Sequence, residues 1–464
     1  MHFSRTLVQN HEQELDVLLQ DGTYKPVFLY HLVLFHCLPL VGLIIPYRRG
    51  TRFVRPFIFT LCVGIAVEAI RNHRALLGAG GYVVGLMTAW WLVWSATLFI
   101  FSDVENDFCR IERRSVASYT SHDTTVLNDK STSVIIEKGF HWQSYPAKLS
   151  HRVDWCAGLL FNLRGPEWNW RVTRLGPLPR SVYAQLHSRF ISGEIHALDD
   201  HIAIDGKTRL RDAFYTFLKA YLVLDILKAV MMRDPYFRGE DTIQAALPFP
   251  LFYFGFFPFA ARFYRCFLSC MGVYVALNYV TSLNPLFFLG LSRSFPSLSR
   301  SLTAAPLDEA WLYAETFGPF GSSVLDHGLG GVWGRWWHQL FRCGFTAPTR
   351  WIFSILPKKW SNNLGMKRAA SVVIAFSISG FVHACGSYTQ ITHTRPIYGP
   401  FLFFFMQGIA VVAENIFQTI IFPNAPISNT PRWLQRTTNA VFVFFGSFIL
   451  GLSSQMTLPG ADYG

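Results

Sequence analysis

Charge is scarce in this chain. Asp, Glu, Lys and Arg make up 15% of its 464 residues, against roughly 25% in an ordinary soluble domain. Hydrophobic residues reach 51% and aromatic residues 16%, and Phe alone occurs 43 times. One water-facing domain cannot bury that much apolar surface, so lipid is the expected solvent. The eight cysteines form no CxxC pair and no Cys/His metal spacing, so neither a zinc ribbon nor a redox motif is expected, and no metal site is assigned. Several cysteines sit in apolar runs and read as reduced, packed residues. The first 25 residues hold Glu12, Glu14, Asp16 and Asp21 and no apolar core, so no cleavable signal peptide is expected. Internal repeats and low-complexity tracts are also missing.

What remains is a series of long apolar runs at 26–46, 57–70, 81–101, 213–232, 267–291, 369–391, 398–422 and 440–455. A membrane span needs about 20 residues. The expected fold is an all-α polytopic membrane protein of about eight spans. A ninth is open at 245–261, where three prolines favour a re-entrant or interfacial segment. The chain then divides into a polar tail (1–25), N-terminal spans (26–101), a polar segment (102–212), central spans (213–291), a loop (292–368) and C-terminal spans (369–455). The net charge of +12 comes from Lys and Arg that flank the apolar runs, which suits lipid headgroups and gives no reason to invoke nucleic acid. By the same flanking charges the N-terminal tail is expected in the lumen and the segments 102–212 and 292–368 in the cytosol. Within 102–212, "TSHDTTVLNDKSTS" (120–133) reads as a loop, and the aromatic second half as a surface packed on the membrane face.

Ionisable groups inside apolar runs are costly and each needs a reason. Glu68, His31 and His36 read as structural. Asp225 and Lys228 lie three apart, on one helix face, and can neutralise each other. Glu414 follows Gln407 by seven residues, two helical turns, so both point the same way, into the bundle. His383 stands in "SISGFVHACGSY" (377–388), among Ser and Gly residues small enough for a backbone or a ligand to come close. A neutral imidazole in a dry cavity can act as a general base, and a packing histidine fits the same local sequence.

The densest cluster of aromatic and basic side chains is "GVWGRWWHQLFR" (331–342). Read as a helix, Trp333, Trp336, Trp337, Leu340 and Phe341 form one face, and Arg335, His338, Gln339 and Arg342 the other. An interfacial anchor would look like this. So would a polar wall that takes an anionic, phosphate-bearing ligand, because the Arg fork suits phosphate. Gly328, Gly330 and Gly331 ahead of it read as a flexible loop matching no phosphate-loop pattern.

Five fragments, in one order, resemble the wax synthase-like branch of the membrane-bound O-acyltransferase superfamily: "NLRGPEWNW" (162–170), "YLVLDILKAVMMRDPYF" (221–237), "WGRWWHQLFR", "SGFVHACG" and "FFFMQGIAVVAENIF" (403–417). The resemblance covers residues 150–455, and the long 102–150 insert is more like the fungal members that acetylate secondary metabolites. It implies a helical fold around a tunnel in a multi-pass membrane protein, with the endoplasmic reticulum as the expected membrane. It implies an acyl-CoA co-substrate, acetyl-CoA first, a hydrophobic hydroxylated acceptor of terpenoid or meroterpenoid type, and no bound cofactor. His383 takes the place of the family's general base and His338 lies beside the active site. Arg335, Trp336, Trp337, Gln339 and Arg342 would hold the acyl-CoA, with Asn162, Arg164 and Glu414 in support. Two other readings stay open: a long-chain wax ester synthase of the same fold, and a transporter that performs no chemistry.

Overall fold

The computed structural model describes residues 2–27, 29–76, 80–120, 133–187, 205–238, 247–248, 253, 258–391, 394–418 and 431–454. Of the segment expected at 245–261 only 247–248, 253 and 258–261 are among these residues, and of 120–133 only its two ends. In chain order the main elements are α1 (His2–Gln20), β1 (Lys25–Pro26), α2 (Leu29–Ile44), α3 (Val54–Asn72), β2 (His73–Arg74), α4 (Tyr82–Phe99), β3 (Arg110–Thr120), β4 (Ser133–Gln143), α5 (Leu149–Leu160), α6 (Gly206–Met231) and α7 (Pro258–Asn284). They continue with α8 (Asp326–Gly331), α9 (Arg342–Ile355), α10 (Leu364–Tyr388), α11 (Leu402–Ile416) and α12 (Arg432–Ser454).

Every one of the eight apolar runs contains a helix. Four helical stretches, Tyr82–Phe99, Phe259–Ser294, Leu364–Tyr388 and Ile397–Ile416, are long and apolar enough to cross a membrane. At 1.5 Å per residue, about 20 residues reach across a hydrocarbon core of about 30 Å. Large apolar side chains such as Met87, Phe267, Val280 and Phe381 are exposed along these helices, which is the surface an integral membrane protein offers to lipid. Asp225 and Lys228 are both exposed on α6, and among the described residues no ion pair joins them.

The chain divides into two units, the first made of residues 1–103, 216–280 and 316–464 and the second of 104–215 and 281–315. In the first, α4 packs against α3 and α10, and α10 against α11 and α9. The α4–α10 contact is the tightest, and glycine permits it. A Cβ at Gly85 would strike the Cys385 carbonyl, and one at Gly386 would come within 3.0 Å of the Tyr82 ring. Gly81 has φ +99° and a Cβ there would meet the Thr389 carbonyl at 2.6 Å. The two helix ends are then stitched together. The buried Thr389 hydroxyl accepts from Gly85 N–H at 2.9 Å and donates to the Gly81 carbonyl at 3.0 Å. Asn363 starts α10 by accepting the Met366 N–H at 3.0 Å, an ordinary N-cap. Against α7, the "DPYF" turn is fixed by a fully buried pair: Arg265 Nε and Nη2 donate to the two Asp234 carboxylate oxygens, both at 2.9 Å.

The second unit departs from the all-α expectation. β3 and β4 form an antiparallel hairpin, in register from Arg110 opposite Gln143 to Thr120 opposite Ser133. Buried Arg110 anchors it, donating to Gln143 Oε1 at 2.8 and 3.0 Å and to Asp154 Oδ2 at 2.5 Å. The aromatic stretch after it does not present Trp155 and Trp168 to a membrane. Both are fully buried and meet edge to face at 4.9 Å, in the core of the unit. Sequence pattern could not separate the two, because a small core and an interfacial belt both ask for Trp.

Candidate functional site

The first unit encloses a cavity of about 1280 Å³. Its apolar wall includes Phe341, Phe345, Phe376 and Phe404, and its polar wall includes His327, Arg335, His338, His383 and Glu414. Every lining residue lies between Asp326 and Phe442.

His383 projects from α10 into this cavity. Its ring stacks on Phe404 at 4.3 Å and 19°, and its Nδ1 is hydrogen-bonded to the Tyr82 hydroxyl at 2.6 Å. The bond fixes ring orientation and links chemistry to tautomer. When Nδ1 carries the proton and donates to the phenol oxygen, Nε2 is the basic nitrogen and is ready to accept a proton. Of the glycines flanking His383, Gly386 serves the approach of α4, which brings Tyr82 into place, and Gly380 lies against the Phe401 backbone ahead of α11. Tyr82 had no signal of its own in the sequence. It lies 301 residues from His383 and opens a span after two glycines, where an aromatic residue is ordinary.

The 331–342 stretch corrects the sequence reading in one respect. It is not a continuous amphipathic helix. One π turn covers Val332–Trp336, and Trp337 then takes an extended backbone (ψ 151°) before α9 begins at Arg342. The reason is local hydrogen bonding. Buried Gln339 folds back, its amide donating to the Trp333 carbonyl at 2.7 Å and the Trp337 carbonyl at 3.3 Å. Gly318 N–H donates to the Trp336 carbonyl at 2.8 Å. With these carbonyls satisfied from outside the helix, the chain can turn without a desolvation penalty. Gln339 Oε1 also accepts from Arg342 Nη1 at 2.6 Å, so Gln339 latches the turn.

The break redistributes the side chains. Arg335, Trp337, His338, Gln339 and Arg342 all line the cavity, together with Trp333. Trp336 does not; it faces away and packs among Tyr274, Phe317 and Phe320, with ring centroids at 5.9, 6.1 and 5.1 Å. Arg335 donates to His327 Nε2 at 2.8 Å.

Two residues of α11 hold the stretch in place, on the one face their spacing gave them. Buried Gln407 accepts from Trp333 Nε1 at 3.0 Å. Glu414 accepts the Leu329 N–H at 2.9 Å and the Gly330 N–H at 2.7 Å. The glycines expected to form a flexible loop instead lie in α8, a short helical stretch kinked at Gly328. Gly328 has φ +60°, and a Cβ on it would strike the Glu414 carboxylate, so only glycine fits beneath that carboxylate. Asp326 at the start of α8 accepts from Arg436 Nε at 2.7 Å and Arg432 Nη2 at 3.3 Å. The Arg436 hydrogen bond, with help from Arg432, holds the Asp326 carboxyl well down, at about 2.

Asn162 and Arg164 belong to the second unit, and their polar groups are engaged in its fold. Asn162 Oδ1 accepts Gly165 N–H at 2.6 Å, and its amide donates to Glu167 at 2.8 Å. Arg164 donates to the carbonyls of Ala314 and Glu315, both at 2.8 Å. Burial, with Arg209 and Arg174 nearby, lowers the Arg164 pKa to about 10.

Residues 314–407, which hold Trp333, Gln339, His383 and Gln407, match the model of the membrane bound O-acyl transferase family. Two curated fungal proteins are similar over part of the chain. O-Mevalon transferase macI of Penicillium terrestre is 27% identical over 162 residues, 32% of this chain and 30% of that protein. O-Mevalon transferase yanI of Aspergillus niger is 24% identical over 276 residues, 58% of this chain and 53% of that protein. The chain thus spans about half or less of the length of these relatives. No solved structure matches it.

Proposed function

We propose that the chain is a membrane-bound O-acyltransferase that moves an acyl group from acyl-CoA to the hydroxyl of a hydrophobic acceptor, with His383 as general base. The observation that carries this reading is the cavity-lining imidazole whose Nδ1 is bound to Tyr82, within a segment that matches an acyltransferase family. His383 Nε2 takes the acceptor O–H proton as the oxygen attacks the thioester carbonyl carbon. The C–S bond breaks, the ester forms, and the imidazolium returns its proton to the departing thiolate. Water is kept from the thioester by the aromatic wall. The oxyanion needs a donor, and His338 is the candidate on the cavity wall, because Gln339 is occupied in latching the turn. Arg335 and Arg342, which line the cavity, would be the cations that meet the phosphates of the donor. In this reading the cavity is one chamber of a tunnel through an eight- or nine-span bundle in the endoplasmic reticulum membrane, and no cofactor is needed.

The acyl group is the finer question. Acetyl, delivered to a terpenoid or meroterpenoid hydroxyl, follows from the resemblance to fungal acetyltransferases. A second reading is favoured by the names of the two relatives and by volume: a cavity of about 1280 Å³ exceeds the roughly 300–1,000 Å³ of ordinary small-molecule sites, and leaves room for a mevalon-sized or longer acyl chain. Purified protein offered acetyl-CoA, a mevalon-type hydroxyacyl-CoA and palmitoyl-CoA in competition, with a panel of hydroxylated terpenoids, separates these donors. Transfer from none of them, together with uptake of terpenoid into sealed vesicles, would favour the transporter.

A further inference from the structure

Away from the cavity, three side chains from separate stretches of the first unit converge where α3 ends. His31 comes from the first turn of α2, Glu68 from the last turns of α3, and His73 from β2. Parallel pairing of β1 with β2, Lys25 opposite His73, places the third residue. Glu68 Oε2 lies 3.2 Å from His73 Nδ1 and 3.6 Å from His31 Nε2. One ligand atom from each residue lies within 4.8 Å of the others. Both imidazoles are almost fully buried, at 2% and 1% exposure, whereas the Glu68 side chain is 41% exposed. The two rings meet edge to face at 4.2 Å.

We infer that His31, Glu68 and His73 form a binding site for a divalent transition metal of the zinc class, which ties the start of α2 to the end of α3. The spacing is that of ligands around one ion. With metal–ligand bonds of about 2.0–2.2 Å, tetrahedral geometry sets neighbouring ligand atoms roughly 3.3–3.6 Å apart; the two separations to Glu68 match this, and the two ring nitrogens lie within 4.8 Å of each other. Two neutral imidazole nitrogens and one carboxylate oxygen suit zinc in donor type. The partly exposed Glu68 edge gives the ion a route in and leaves a fourth position for water. His73 Nε2 is buried with no hydrogen-bond partner, so the ring is held on its Nδ1 side, where the Glu68 carboxylate lies at 3.2 Å and the Glu68 carbonyl at 3.5 Å, and a ligand bond through Nδ1 would fix it there.

The consequence is mechanical. Arg74, next to His73, donates to the His73 carbonyl at 2.9 Å and to the Tyr388 carbonyl at 3.3 Å, and Tyr388 ends the helix that carries His383. The ion would therefore brace the floor on which α4 and α10 meet.

The test uses the full-length chain with an epitope tag that binds no metal, purified in detergent. Elemental analysis and zinc titration against a chromophoric chelator are expected to give one zinc per chain. Glu68→Gln and His73→Gln should each weaken zinc binding at least about tenfold, and His36→Gln should not. A chelator should lower the Tm of the wild type and leave that of Glu68→Gln unchanged. If the variants fail to fold, the ligand-field spectrum of Co²⁺ added to metal-free wild type decides: tetrahedral nitrogen–oxygen bands support the site, and the spectrum of aqueous Co²⁺ overturns it. Zinc affinity equal in wild type and Glu68→Gln also overturns it, and leaves a hydrogen-bonded His–Glu–His cluster.

Discussion

Replacing Tyr82 with Phe removes one hydroxyl and leaves the ring that packs on Gly386. Before proton transfer in the proposed mechanism, the Tyr82–His383 bond joins two neutral groups, and such a bond contributes about 1 kcal/mol net. Once Nε2 has taken the acceptor proton, the imidazole is cationic and the same bond is charge-assisted, at roughly 1.5–3 kcal/mol. Only the difference lowers the barrier, so about 0.5–2 kcal/mol is at stake, or roughly a 2- to 30-fold fall in kcat. The acyl-CoA KM should be unchanged, because Tyr82 reaches the site only through His383. The measurement is steady-state transfer from labelled acyl-CoA, with Tyr82→Phe, His383→Gln and the double variant compared. In the His383→Gln background, loss of the hydroxyl should cost nothing further. An undiminished kcat in Tyr82→Phe, or a full additional loss in the double variant, would refute the positioning role and the Nε2 base with it.

Other expectations follow from the same contacts. Arg335→Ala and Arg342→Ala should raise the acyl-CoA KM while kcat changes less, and unchanged KM values would remove both from phosphate recognition. Glu414→Gln replaces one of two carboxylate acceptors with a donor facing a backbone N–H, and should cost about 1–3 kcal/mol, seen as a lower Tm. Gly85→Ala forces a methyl onto the Cys385 carbonyl; overpacking of this kind costs roughly 1–3 kcal/mol, and both Tm and kcat should fall as α4 shifts from α10. The Asp326 pKa stands at about 2, below its ordinary 3.8. Its contribution to stability is therefore present above about pH 4 and is lost as pH falls towards 2. The Tm difference between wild type and Asp326→Asn should shrink across that window, and a difference that stays constant would show that Asp326 is not the group involved.

Much of the site was legible because helices write their contacts at fixed spacing. Gln407 and Glu414, seven apart, do act on one partner segment. His383, alone among small residues, does line the cavity. What stayed hidden needed backbone or distant partners. The turn at Trp337 depends on Gln339 folding back onto carbonyls, and a helical wheel cannot show that; it placed Trp336 beside its neighbours when the chain turns it away. Tyr82 meets His383 across 301 residues and His31 meets the Glu68–His73 pair across about forty, where one sequence carries no spacing signal. The hairpin of the second unit escaped notice because β3 and β4 flank a polar stretch in which alternation is weak, and charged Arg110 holds it through a buried network rather than an apolar face.

The central claim is that His383 is the base. His383→Gln keeps the volume of the side chain and much of its packing against Phe404, so the protein should still insert and accumulate at the wild-type level. With donor and acceptor both supplied, its single-turnover transfer rate should fall at least about a hundredfold, the usual contribution of a general base. Transfer at the wild-type rate by a correctly inserted His383→Gln protein would contradict the account.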